Sequence, residues 1–314
     1  MIENIPDYYP MSTSEKVQRR RDYLFSESKI AKPSIYLATN EPPGREFLFY
    51  RSAGKQSPNE GGIPSGKVVL LVGAGAAGKS TLALQMAVSV ALGEPLLGRL
   101  FPKGPGRVLV IFCNDEKIDT DRRLHFATKD RNEEEIKRLR ENLFLYSLAG
   151  EDLRFEDENY KESETFRALL AKIEETKPSL VILDPLSRFA HADSEKDSSS
   201  ATLLGRRLEI LAHTGATILC THHTTKAARA NKESDETIAR GSSALTDAAA
   251  LVMTLTDGNY YGSGSDKIIK LAFPKNNCAP FTPMINLVRD GNGLLRTENS
   301  NEKRKRDGKV WGLR

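Results

Sequence analysis

Gly73-Ala74-Gly75-Ala76-Ala77-Gly78-Lys79-Ser80 has the spacing G-x-x-x-x-G-K-[ST] of a phosphate-binding loop. Its flanks supply the frame such a loop needs. Val68-Val69-Leu70-Leu71-Val72 is a short, β-branched apolar run and reads as a strand. From Lys79 to Ala91 apolar residues recur at helical spacing, with Leu82, Leu84, Met86, Val88 and Val90 among them. A loop between strand and helix turns its amide groups onto a phosphate, helped by the positive end of the helix dipole. Glycine serves where the backbone comes close to that phosphate or takes a positive φ. The residues expected to cradle ATP are therefore Gly73, Ala74, Gly75, Ala76, Ala77, Gly78, Lys79, Ser80 and Thr81. Lys79 is expected at the β- and γ-phosphates, and the Ser80 hydroxyl on Mg²⁺.

Composition sets wide bounds. The 314 residues suffice for one large domain or two modest ones. Hydrophobic content of 39% and charged content of 28% fit a soluble globular chain, and the net charge of +4 permits nucleic acid as a partner without demanding it. Cys113, Cys220 and Cys278 lie far apart with no C-x-x-C pair. Buried, reduced thiols in a cytoplasmic protein are the natural reading. The start, Met1-Ile-Glu-Asn-Ile-Pro, lacks the pattern of a signal peptide, and no apolar run approaches a membrane span.

The chain reads as three parts. Residues 1–60 form an N-terminal arm, broken by prolines and glycines, in which Ser14 to Ile30 has helical character and carries Arg19, Arg20 and Arg21. Residues 61–298 alternate strand-like and helix-like segments, the pattern of an α/β fold with a mostly parallel sheet. Strands are expected at Val68–Val72, Arg107–Phe112, Leu143–Ser147, Leu180–Leu183, Ala216–Thr221 and Leu251–Thr256, with amphipathic helices at Glu133–Arg140, Glu164–Glu175 and Ala201–Ala212. Residues 266–297 give two or three more strands joined by Pro, Asn and Gly turns. Residues 299–314 form a polar tail with the basic run Lys303-Arg304-Lys305-Arg306.

Around the loop stands a set of residues suited to phosphate chemistry. Ser179-Leu180-Val181-Ile182-Leu183-Asp184 is an apolar strand ending in an acid, and a carboxylate there can hold Mg²⁺ opposite Ser80. Pro185 follows, so the base that activates water must come from elsewhere. Val108-Leu109-Val110-Ile111-Phe112-Cys113-Asn114-Asp115-Glu116 offers Glu116 or Asp115. His222 and His223 end the strand at Thr217-Ile218-Leu219-Cys220, where a polar residue can report the γ-phosphate to the following loop. No third ligand at zinc spacing accompanies them. No arginine in cis stands out, so Arg240, in Arg240-Gly241-Ser242-Ser243, is the candidate finger for a neighbouring subunit's site, with Lys275 second. Residues 224–239 carry Lys226, Arg229 and Lys232, cations suited to a nucleic-acid backbone. Asn231-Lys232-Glu233-Ser234 lacks the acid that reads guanine, which disfavours a GTPase.

Together these residues resemble one family. The ordered set Gly73–Ser80, Glu116, Leu180–Asp184, His222-His223 and Arg240-Gly241-Ser242-Ser243 looks like the RecA-type hexameric plasmid replicative helicases of the RepA family. Leu183-Asp184-Pro185-Leu186-Ser187-Arg188-Phe189 and Thr221-His222-His223-Thr224-Thr225-Lys226 are especially close to that pattern. The resemblance spans roughly residues 60 to 297. It implies a RecA-like fold, ATP with Mg²⁺, a ring of six and single-stranded DNA in the channel. It also implies Glu116 as base, His222 or His223 as γ-phosphate sensor, and Arg240 as a finger in trans. A non-helicase ATPase of the same fold is the alternative. Ala76-Ala77 departs from the small Gly/Ser pair common in this loop.

Overall fold

The structure, a computed structural model of the chain, describes residues 13–24, 44–52, 61–191, 198–223, 243–260, 267–279, 283–300 and 302–303. The chain divides into two compact units, 1–43 and 44–314. In the first, helix α1 (Thr13–Leu24) is described. Its arginines 19–21 are exposed, and Gln18 bonds Asp22 one turn on. Residues 25–30 of the expected helix lie outside the described residues.

The second unit is built on a nine-stranded sheet. Its strands in chain order are β3 (Val68–Gly73), β5 (Val108–Phe112), β6 (Leu143–Ser147), β7 (Leu180–Asp184), β8 (Thr217–His223), β9 (Leu251–Tyr260), β10 (Lys267–Asn276), β11 (Ile285–Arg289) and β12 (Leu295–Thr297). The spatial order is β12-β11-β10-β9-β3-β8-β7-β5-β6. From β9 through β6 neighbours run parallel, and from β9 to β12 they run antiparallel. The expected strands are all present, and the 266–297 segment supplies three.

Helices cover both faces, giving the three layers of a RecA-like fold. The central strands are apolar on both sides, as parallel strands must be when both faces are packed. Val69, Leu71, Val108, Val110, Leu180 and Ile182 point one way, into a core closed by α2 (Lys79–Leu92), α3 (Lys117–Thr128) and α4 (Glu133–Asn142). Val68, Leu70, Leu109, Val181 and Ile218 point the other way, under α5 (Glu164–Thr176), α6 (Ser198–Ala212) and the short α7 (Ser243–Ala248). Each such side chain contributes about 1.5–3 kcal/mol by leaving water. α4 opens on a capping box, with Asn132 and Glu135 each bonding the other's backbone amide. Cys113 and Cys220 are buried here as free thiols. Burial pushes the Cys113 thiol up to about 12, with the Asp184 charge acting in the same direction.

Two elements differ from the sequence reading. Residues 44–52, counted there with an irregular arm, contain β1 (Phe47–Tyr50), all four residues buried. β1 pairs with β2 (Gly62–Pro64) and β4 (Phe101–Pro102) in a small antiparallel sheet, and Leu48 and Phe49 join the core under α2. The prolines and glycines that flank this apolar run masked it. α3, too, was not expected: Thr120 is its one buried residue, so it carries almost no apolar stripe. Among the described residues no helix is long and apolar enough to cross a membrane.

Candidate functional site

Parallel pairing brings the C-terminal ends of β3, β8, β7 and β5 to one edge of the sheet, with Gly73 beside His223 and Asp184 beside Phe112. That edge is where open α/β sheets hold ligands. A cleft of about 580 Å³ lies there, lined by Ala76, Gly78, Lys79, Ser80, Thr81, Asn114, Asp115, Arg123, Asp184, Pro185, His223 and Arg289. Such a volume is within the range of small-molecule sites.

The loop has the backbone its sequence calls for. Gly78 is the residue before α2 and sits at φ 103°, a conformation glycine takes without strain. A Cβ on Gly73 would lie 2.6 Å from the Leu255 carbonyl oxygen, so the loop can leave β3 there only as glycine. No side chain caps α2 and its first turn carries no acid. Its leading amides therefore face the cleft with the helix dipole behind them. Ala76 also takes a positive φ, 61°. For an alanine this costs about 1–2 kcal/mol, which the rest of the loop must hold in place.

The ammonium of Lys79 is nearly buried and turns back over the loop. It donates to the carbonyls of Gly73 at 2.9 Å and Ala74 at 2.8 Å, and lies 3.4 Å from His223 Nδ1. Asp184 is 6% exposed. Its Oδ1 accepts from the buried Thr221 hydroxyl, while Oδ2 is buried with no hydrogen-bond partner among the described residues. Ser80 lines the same cleft.

The strand-end candidates separate in the structure. His223 lines the cleft and His222 does not, as alternation along a strand requires. At the end of β5, Asn114 and Asp115 line the cleft, whereas Glu116 is exposed at the start of α3 and lies outside the lining. Arg123, two turns into α3, grips Asp115 with both guanidinium nitrogens, a bidentate geometry that fixes a carboxylate. Arg188 donates to Asn114 Oδ1 at 2.8 Å. Lys275 donates to the carbonyls of Thr246 and Asp247 at the end of α7, so its charge caps a helix of its own chain. Arg240, Lys226, Arg229 and Lys232 lie outside the described residues.

Sequence reasoning missed Arg123, Arg289 and Asn114. Arg123 stands eight positions after Asp115, a helical spacing that could have been noticed. Arg289 lies over two hundred residues from the loop it approaches and gives no local signal. The premise that no arginine is available in cis does not hold, since two line the cleft. A larger cleft of about 950 Å³ sits at the opposite end of the parallel strands, beside Gly66, Gly215 and Ala250, away from the phosphate loop.

A family model described as an AAA domain matches residues 52–229. The chain belongs to that AAA domain family. Its fold is similar to the solved ATPase domain of a helicase, with 16% sequence identity and a TM-score of 0.52 over 74% of this chain and 85% of that one. The parallel core, the phosphate loop and the AAA domain match together make the chain a RecA-like NTPase domain.

Proposed function

We propose that this AAA domain protein is a Mg²⁺-dependent ATPase that forms a ring of six, grips single-stranded DNA in the ring and acts as a replicative DNA helicase. The observation that carries the reading is the meeting of Lys79, Ser80, Asp184 and His223 in one cleft beside an uncapped helix N-terminus. The likeness to a helicase ATPase domain supports ATP hydrolysis; the resemblance to the RepA family supports the ring and the DNA.

The donor set fits Mg²⁺. A hydroxyl and a buried carboxylate oxygen without a partner are hard oxygen ligands of the kind the ion takes. When bound, the ion neutralises charge on the β- and γ-phosphates. The chain's own residues do the rest. The amides of the loop and of the first turn of α2 hold the phosphates, and Lys79 places its charge where the transition state builds negative charge. A carboxylate at the end of β5 orients the attacking water and takes its proton. His223, within reach of Lys79, contacts the γ-phosphate and passes its loss to the loop that follows. Arg240 enters from the neighbouring subunit, and Lys226, Arg229 and Lys232 hold the DNA backbone in a sequence-independent way.

The test is the triple change of Lys226, Arg229 and Lys232 to alanine. Affinity for single-stranded DNA and DNA-stimulated hydrolysis should fall while basal hydrolysis stays, and the slope of log affinity against log salt should flatten. An unchanged slope would remove this loop as the DNA contact.

A further inference from the structure

Arg289 stands at the tip of β11. Two antiparallel steps, β9 to β10 and β10 to β11, turn β11 back to the direction of β3. Its last residue therefore emerges at the end of the sheet that carries the phosphate loop. The tip is anchored. β11 pairs with β12, and the side-chain amide of Gln85 on α2 both donates to and accepts from the backbone of Leu295 on β12, at 2.8 and 3.0 Å. Leu295 is buried against the core under α2. From this base Arg289 donates to the Ala76 carbonyl at 3.2 Å and to the Gly293 carbonyl at 3.1 Å. Its Nη2 lies 3.0 Å from where a Cβ on Gly78 would stand.

The chemistry of those partners matters. Arg123, the other arginine lining the cleft, is neutralised by Asp115. Both partners of Arg289 are neutral carbonyls, so a whole positive charge is held at the mouth of a phosphate loop. A guanidinium so placed presents donors suited to phosphate oxygens.

The sheet order says which end of a ligand it meets. Asp184 on β7, His223 on β8 and Asp115 after β5 all lie on one side of β3, while β11 lies on the other. The first three mark the γ-phosphate end in the function proposed above. We infer that Arg289 is a nucleotide-binding residue in cis, contacting the α-phosphate and sugar end of a bound nucleoside di- or triphosphate. This rests on the assignment of the cleft as a nucleotide site.

The contact is one that ATP and ADP share. Arg289→Gln in the full chain should weaken both Mg–ATP and Mg–ADP by roughly tenfold, the scale of a hydrogen bond to a charged group. KM for ATP should rise with kcat changed less than about twofold, the mark of binding lost equally from ground and transition states. Arg289→Lys should recover part of the affinity, and the salt dependence of ADP binding should shrink in the Gln variant, which a mere brace for Ala76 would not produce. Unchanged ADP affinity overturns the assignment, as does a selective loss of ATP affinity with a collapsed kcat. Lys79→Ala is the control: if it too leaves nucleotide affinity intact, the cleft itself is misassigned; if it alone weakens binding, only Arg289 is. A measurement without variants uses phenylglyoxal, which labels guanidinium groups. Mg–ADP should protect Arg289 of the wild-type chain, and equal labelling with and without the nucleotide refutes the contact.

Discussion

Thr221→Val removes a single hydroxyl from a fully buried side chain and leaves its shape nearly unchanged. That hydroxyl is the donor to Asp184 Oδ1. The other oxygen, Oδ2, has no hydrogen-bond partner among the described residues, so the change leaves a buried carboxylate without a side-chain or backbone donor there. A hydrogen bond to a charged group is worth about 1.5–3 kcal/mol. For a unit of this size each kcal/mol moves the melting temperature by about 2–4 °C, so the nucleotide-free variant should melt roughly 4–8 °C below wild type. Mg²⁺ with ADP would give Asp184 a new partner in both proteins, and the gap should then shrink by about half or more, because the ligand replaces the lost interaction. Thermal melts with and without saturating Mg–ADP measure both quantities. Equal melting temperatures without ligand would show that the Thr221 bond does not support Asp184. An undiminished gap with ligand would show that the carboxylate is not on the metal.

Asp115→Asn should abolish hydrolysis while ATP still binds, because Asp115 lines the cleft and Glu116 lies outside it; single-turnover assays that stop Glu116→Gln and spare Asp115→Asn would return the base to the residue the family resemblance implies. Arg240→Ala subunits mixed with Lys79→Ala subunits should recover activity, since each kind lacks what the other supplies across a boundary and a finger gives on the order of 10³-fold; no recovery in mixed rings means the arginine works in cis. Glu156 is 2% exposed, and burial raises its carboxyl above its ordinary value of 4.5, against the nearby charges of Arg207 and His191. The folded state therefore holds that proton more tightly than the unfolded state, and wild type should gain stability relative to Glu156→Gln as pH falls from neutral through the raised value toward 4.5. Parallel stability curves for the two would contradict this.

How much of this was legible beforehand follows from the range of the forces involved. The phosphate loop, its strand and its helix are local, and Gly73, Gly78 and Lys79 sit where their spacing predicts. The buried parallel strands announce themselves as apolar runs ending in Asp184 or in His222-His223. β1 was hidden because breakers on both sides outweighed four apolar residues whose burial depends on pairing with β4, about fifty positions away. The side of the strand end that faces the cleft was also beyond the sequence. Asn114, Asp115 and Glu116 are consecutive, and only the turn into α3 decides that the first two point in and the third out. Arg289 required the count of antiparallel reversals, which no periodicity supplies.

The central claim is that ATP hydrolysis at this cleft is coupled to single-stranded DNA in a ring. The most direct measurement is the ATPase rate of the full chain, at a known oligomeric mass, with and without single-stranded DNA, beside Lys79→Ala. The account predicts a hexameric mass, hydrolysis stimulated by the DNA, and a rate in the variant reduced by at least about 10²-fold under both conditions. A monomer with full activity, a rate indifferent to DNA, or a Lys79→Ala variant as fast as wild type would contradict it.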